Sequence, residues 1–235
     1  MGFQHNSSMR LAAQKGRISD SECDKPRLVS LSYNRIAGQS VERLAALSDG
    51  IFGVAMTLLL LELHVPAKEL IHSEADLWHA LLALTPQLLV YLMSFITLGI
   101  FWVGQQTQLN HLSRSDRHLT WIHLAFLFAV TLLPFSTRLL AEFITYRAAL
   151  IAYWGNILLL GLGLYASWGR ATRAKLVKED ISEEVLAAVC HRIIIAQSLY
   201  AFGAALCTVN TYWSIGFIVL VQLNYAIAAR LVDRK

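Results

Sequence analysis

The stretch Arg43-Leu44-Ala45-Ala46-Leu47-Ser48-Asp49-Gly50-Ile51-Phe52-Gly53-Val54-Ala55-Met56-Thr57-Leu58-Leu59-Leu60-Leu61-Glu62-Leu63 decides the fold. It opens on Arg, Ser and Asp, closes on Glu, and carries no charge in between. About 20 apolar residues in a row suffice to cross a bilayer as a helix. In lipid the backbone must satisfy its own hydrogen bonds, so such a run reads as a helix and not as loop or open strand. The apolar block extends over about 43–65 and stops at Pro66.

Five further blocks follow, at about 77–107, 119–141, 147–169, 183–209 and 212–231. The charged fraction is only 15% against 56% hydrophobic residues, which excludes an ordinary soluble domain. Two-residue alternation with regular turns, the mark of a transmembrane barrel, is missing. The expected fold is therefore an all-α membrane protein with six transmembrane helices over residues 41–235. Residues 1–40 are mixed polar and are expected to form a cytoplasmic, mostly disordered tail. From their polar start no cleavable secretory leader is expected.

The breaks orient the helices. Arg10, Lys15, Arg17, Lys25, Arg27, Arg35 and Arg43 precede the first block, and the break after it is acidic, with Glu69, Glu74 and Asp76. The second break carries Arg114 and Arg117, the third Glu142 and one Arg147, and the fourth Arg170, Arg173, Lys175 and Lys178. The fifth has no charge, and the C-terminus holds Arg230, Arg234 and Lys235. By the positive-inside rule both termini lie in the cytoplasm, and the expected location is the plasma membrane of the cell. The net charge of +4 is explained by these links, so no nucleic-acid partner is expected. The three cysteines show no CxxC or Cys/His spacing, and no metal site or cofactor is expected. No nucleophile–base pair or phosphate loop is visible, so the chain does not read as an enzyme. Pro86 and Pro134 read as kinks, Trp78, Trp121, Trp154, Trp168 and Trp213 as an aromatic belt, and Gly161 and Gly163 as sites of close helix contact. Ser182 before Glu183 and Glu184 reads as a helix start.

Polar groups at membrane depth face protein or a water path. Arg43 and Asp49 are six residues apart, hence about 120° apart around a helix, and each needs a partner on another helix or subunit. Ser48 and Asp49 can lock helix packing or take part in gating. Val54, Leu58 and Leu61 share one narrow face, with Thr57 beside it, and taken alone form an ordinary packing stripe.

The string Arg43-x-x-x-Leu47-Ser48-Asp49-Gly50, followed by Phe52, Thr57, Leu58 and Glu62, resembles the first-helix signature of the endosomal and lysosomal potassium channel family, transmembrane protein 175. Phe101-Trp102 and Thr131-Leu132-Leu133-Pro134-Phe135 match more loosely, so the resemblance spans the first three blocks. It implies a homotetramer in which first helices line a central pore that conducts potassium and other monovalent cations. It also implies that the Thr-Val-Gly-Tyr-Gly filter is absent, and the sequence contains no such string. Carried over, the pore constriction falls on Val54, Leu58 and Leu61, and Thr57 takes the place of the selectivity hydroxyl. Glu62 falls at the outer mouth, where a solvated interfacial glutamate is an equal reading. The first-helix polar motif is Arg43, Ser48 and Asp49.

Leu47 stands where the family has Phe. Gln105 and Gln106 follow Trp102 where relatives carry histidines of the polar network. An amide can accept from Arg43 but does not titrate near neutrality. His118 and His123 could substitute, so the candidate network partners are Trp102, Gln105, His118 and His123. Two other classes remain open: a proton-coupled secondary transporter using Asp49 or Glu62, and a membrane scaffold without transport.

Overall fold

A computed structural model describes residues 40–61, 63 and 65–232, with the side chains of residues 70 and 226–232 set aside. The expected tail at 1–40 thus lies outside the described residues save for Ser40, as do Glu62 and the last three residues.

Among the described residues the regular elements are helical, joined by short links and one isolated bridge between Leu112 and Val177. The helices are α1 (Val41–Leu61), α2 (Glu74–Ala83), α3 (Thr85–Asn110), α4 (Arg117–Thr131), α5 (Leu133–Glu142), α6 (Arg147–Arg173), α7 (Glu183–Ala205) and α8 (Thr211–Val232), with short 3-10 turns at Lys68–Leu70 and Leu206–Thr208. Among the described residues, five segments are long and apolar enough to cross a membrane: α1, α3, α4 with α5, α6, and α7 with its 3-10 turn. The 22-residue α8 falls on the sixth expected block.

Two expected helices are interrupted, each just before a proline. The block at 77–107 divides at Leu84, so Pro86 sits in the first turn of α3, where its missing N–H leaves nothing unpaired. The block at 119–141 divides at Leu132, before Pro134. Here Asn156 of α6 enters the broken ladder. Its amide nitrogen donates to Ala129 O (2.9 Å), and its oxygen accepts from the Leu133 N–H (3.0 Å) and the Ser136 hydroxyl (3.1 Å). Only this orientation matches each donor to an acceptor. The backbone groups released by the break are thereby satisfied inside the bundle, which lipid could not do.

Helix starts are set by side chains. Ser73, Asp116 and Ser182 accept from the backbone amides of Asp76, Leu119 and Val185. Asp116 also pairs with Arg170 of α6. Burial works against its charge, yet the Arg170 guanidinium and the Leu119 amide hold its carboxyl below the usual carboxylate range. The C-terminus of α6 closes with Lys175 at φ 51°, the Leu176 N–H reaching Ala171 O (2.9 Å) and the Lys175 N–H reaching Thr172 O (3.2 Å). This paired closure satisfies the last carbonyls of the helix.

α1 rests on α3, α4 and α5; α6 packs on α4, α5 and α7; α8 packs on α3 and α7. Buried residues of α3 recur every three or four positions (Val90, Met93, Thr97, Phe101, Gln105), the period of one helix face. Gly163 lets α6 approach α4 closely, since a Cβ there would meet Phe126 Cβ at 2.9 Å. At Gly161 a Cβ would strike the Gln197 amide of α7. Polar bonds stitch the interior. Thr137 donates to Ser94 (2.8 Å), Gln222 donates to Thr97 (2.6 Å), and the Tyr153 hydroxyl meets both Ser94 and Thr97 at 3.2 Å. Hydroxyls and amides bonded across helices hold a bundle that lipid alone does not drive together.

The two strongly basic links meet at one end. The Ser113 N–H reaches Leu176 O (2.9 Å) and the Lys178 N–H reaches His111 O (3.0 Å). Val41 and Ala45 of α1 pack on the small cluster beneath them. At the other end Arg147 donates to Thr208 O (3.0 Å), joining the α5–α6 link to the α7–α8 link. Trp78, Trp121 and Trp213 are exposed, as a belt requires, but Trp168 is buried and donates to Leu186 O (3.0 Å). It is an interior link between α6 and α7, not a belt residue.

Candidate functional site

α1 has two faces of opposite character. Leu44, Ser48, Phe52, Ala55 and Leu59 are buried, spaced to hold one face against the bundle. A second face, centred about 110° around the helix, carries Leu47, Val54, Leu58 and Leu61, which are 43%, 58%, 41% and 73% exposed. Thr57 is exposed beside them and donates to Val54 O (2.8 Å). An apolar face so open at membrane depth is covered by lipid or by other copies of the chain. A shallow groove of about 360 Å³ runs along it, lined by Leu47, Gly50, Val54, Leu58 and Thr131.

Two polar clusters tie α1 to its neighbours, a buried one at Ser48 and an exposed one at Asp49. In the first, Ser48 donates to Leu44 O (2.7 Å), accepts from the Gln105 amide (2.9 Å), and lies 2.7 Å from His123 Nε2. Since the single Ser48 proton goes to Leu44 O, the arrangement closes when His123 carries its proton on Nε2 and donates to Ser48. Gln105 Oε1 is buried without a partner among the described residues. In the second, Asp49 Oδ1 accepts from the Trp102 indole (2.8 Å) and the Gln106 amide (2.5 Å). Both donors stand on α3, one turn apart, and converge on one carboxylate oxygen; bonds to a charged acceptor are the stronger kind.

Of the residues expected to form the network, Ser48, Asp49, Trp102, Gln105 and His123 come together. His118 does not: it is exposed in the first turn of α4, about 140° around the helix from His123. Arg43 does not join either. Its side chain is exposed, and no ion pair links it to Asp49 among the described residues. The glutamines do not accept from Arg43; they donate to Ser48 and Asp49. Sequence reasoning left Gln106 out of the partners, although its place four residues after Trp102 puts both on one face of α3. No group of three His, Cys, Asp or Glu converges as a metal set among the described residues.

A bundle of apolar helices with the polar end of its first helix locked to the second and third spans, and the rest of that helix open, defines a polytopic membrane protein. The comparisons narrow the class. The family profile described as endosomal/lysosomal potassium channel TMEM175 matches residues 43–134, which run from Arg43 to the break at Pro134. A potassium channel of Chamaesiphon minutus is 29% identical over 189 residues, covering 79% of this chain and 93% of that protein. A potassium channel of Streptomyces collinus is 36% identical over 135 residues, 56% of this chain and 64% of that protein. The endosomal/lysosomal proton channel TMEM175 of Danio rerio is 27% identical over 134 residues, and the match spans only 25% of its length. The crystal structure of a lysosomal potassium-selective channel TMEM175 homolog from Chamaesiphon minutus superposes with a TM-score of 0.71 at 27% identity, covering 80% of this chain and 97% of that one. Over residues 43–134 the chain is thus similar to the TMEM175 family, and the bacterial relatives it resembles are named potassium channels.

Proposed function

We propose that the chain is one subunit of a potassium-permeable cation channel of the plasma membrane. Four subunits would surround a pore lined by their α1 helices, each subunit crossing the bilayer six times with both termini in the cytoplasm. The observation that carries this reading is the open apolar face of α1, on a helix tied to its neighbours through Ser48 and Asp49. The α1 helix of one chain cannot by itself surround a pore, so conduction requires several copies.

Rings of Val54, Leu58 and Leu61 form a constriction that opens and closes by wetting and dewetting. Four Thr57 hydroxyls beside it replace part of an ion's hydration shell, less completely than a carbonyl cage, and give a modest preference for potassium. Glu62, outside the described residues, would gather cations at the outer mouth. The meeting of the two basic links at one end of the bundle supports the orientation with that end in the cytoplasm.

The test is the reversal potential across a planar bilayer holding the purified protein, with potassium on one side and sodium on the other. Unitary currents reversing toward the potassium equilibrium value support the reading. A silent bilayer with inserted tetramers would favour the transporter or the scaffold, and a current reversing with an imposed pH gradient would favour proton conduction, as in the names of the animal relatives.

A further inference from the structure

We propose that Arg192 of α7 and Tyr225 of α8 form a binding site for an anionic phospholipid at the end of the bundle that carries the basic links. Arg192 is the last charge before the uncharged run 193–208, so it stands where α7 enters the hydrocarbon. Its guanidinium lies over the Tyr225 ring, 6.0 Å from the centroid. Stacking there holds the cation beside the bundle, whereas a side chain that only escaped to water would extend along its own helix. Arg192 has no acidic partner among the described residues. The nearest acid on the same groove, Asp49, is already held by the Trp102 indole and the Gln106 amide.

Two apolar clefts diverge from this pair. The larger, about 640 Å³, runs between α1 and α3 past Phe52, Met56 and Ile96, with Gly53 and Gly99 leaving open floor. The smaller, about 110 Å³, enters between α3 and α7 past Phe101, Ile193 and Ala196. Both are bounded by Ile100, Val103, Arg192 and Tyr225. A cation at the junction of two apolar clefts matches a phosphate from which two acyl chains diverge. The exposure of α7 fits as well, since only 6% of its apolar window is buried in the bundle. Because the larger cleft touches Asp49 and Phe52, occupancy would bear on α1. That consequence rests on the channel reading; binding itself does not.

Native mass spectrometry of the purified full chain separates the two. Phosphatidylglycerol and phosphatidylcholine with identical chains are titrated against wild type, Arg192→Gln and Gly99→Leu. Phosphatidylglycerol is expected to bind about fivefold more tightly, the worth of one interfacial cation. Arg192→Gln should abolish that preference with an unchanged melting temperature, and Gly99→Leu, filling open groove, should weaken both lipids. Equal binding of the two lipids by wild type, or a preference that survives Arg192→Gln, overturns the assignment. Displacement of the lipid by millimolar inorganic phosphate also overturns it, by showing a free-anion site that does not use the clefts.

Discussion

The two ends of α1 solve opposite problems. At the end near Arg43, Ser48 and Asp49 are tied by four bonds from other helices, and a shift at Ser48 would leave buried polar groups unpaired. Beyond Gly53 the outward side chains Val54, Thr57, Leu58 and Leu61 make no hydrogen bond outside α1 and stand open. A helix fixed at one end and free along the other can present the same side chains to a shared axis in every copy while its own position is set by the bundle. Substitutions should therefore divide: changes in the anchor act on stability, and changes in the open stretch act on flux.

The largest expected effect is on the anchor. Ser48→Val removes the hub between Gln105 and His123 and strands two buried polar groups, at a cost of about 2–4 kcal/mol in a thermal or denaturant melt in detergent. Asn156→Leu probes the same logic away from α1, because it leaves the broken ladder at Leu132 unpaired; a loss of about 2–3 kcal/mol is expected. If either variant melts like wild type, buried polar pairing does not hold these helices. Asp49→Asn keeps an oxygen for Trp102 and Gln106 but removes its charge, so about 1 kcal/mol should be lost, with tryptophan fluorescence reporting the altered indole bond.

Smaller still is the Asp116–Arg170 pair. The folded-state pKa of Asp116 is depressed, so its contribution is present above the unfolded value of about 4 and is lost as pH falls through the folded value. Both partners reach solvent, which keeps the pair below about 1 kcal/mol. A melt from pH 6 to pH 3 should show wild type losing this increment and Asp116→Asn lacking it throughout; equal pH slopes would remove the pair from the account.

Hydropathy located the helices because each block must bury or insert about 20 apolar residues whatever its neighbours are. The interruptions at Leu84 and Leu132 were legible only as kinks. A proline says that a ladder bond is missing, not whether a side chain such as Asn156 will replace it. The anchor was legible in part. Asp49 and Ser48 demanded partners, and Trp102, Gln105 and His123 supplied them. Arg43 was open to a partner on another helix or subunit, and within one chain it does not join the cluster, because pairing across helices depends on rotation and register, which spacing within one helix does not fix. His118 and His123 looked equivalent in sequence; five residues on a helix put them on different faces, and only His123 turns inward. Trp168 looked like a belt residue because it stands near a helix end, but that end is covered by the start of α7.

Leu58→Ala asks whether the open stretch of α1 lines a pore. Its side chain is open, so the melting free energy should move by less than about 0.5 kcal/mol, while potassium flux through proteoliposomes, matched for inserted protein, should rise several-fold if Leu58 lines the proposed constriction. Unchanged flux at matched assembly, or a loss of stability in place of a gain in flux, would contradict the account and return Leu58 to the role of a packing residue.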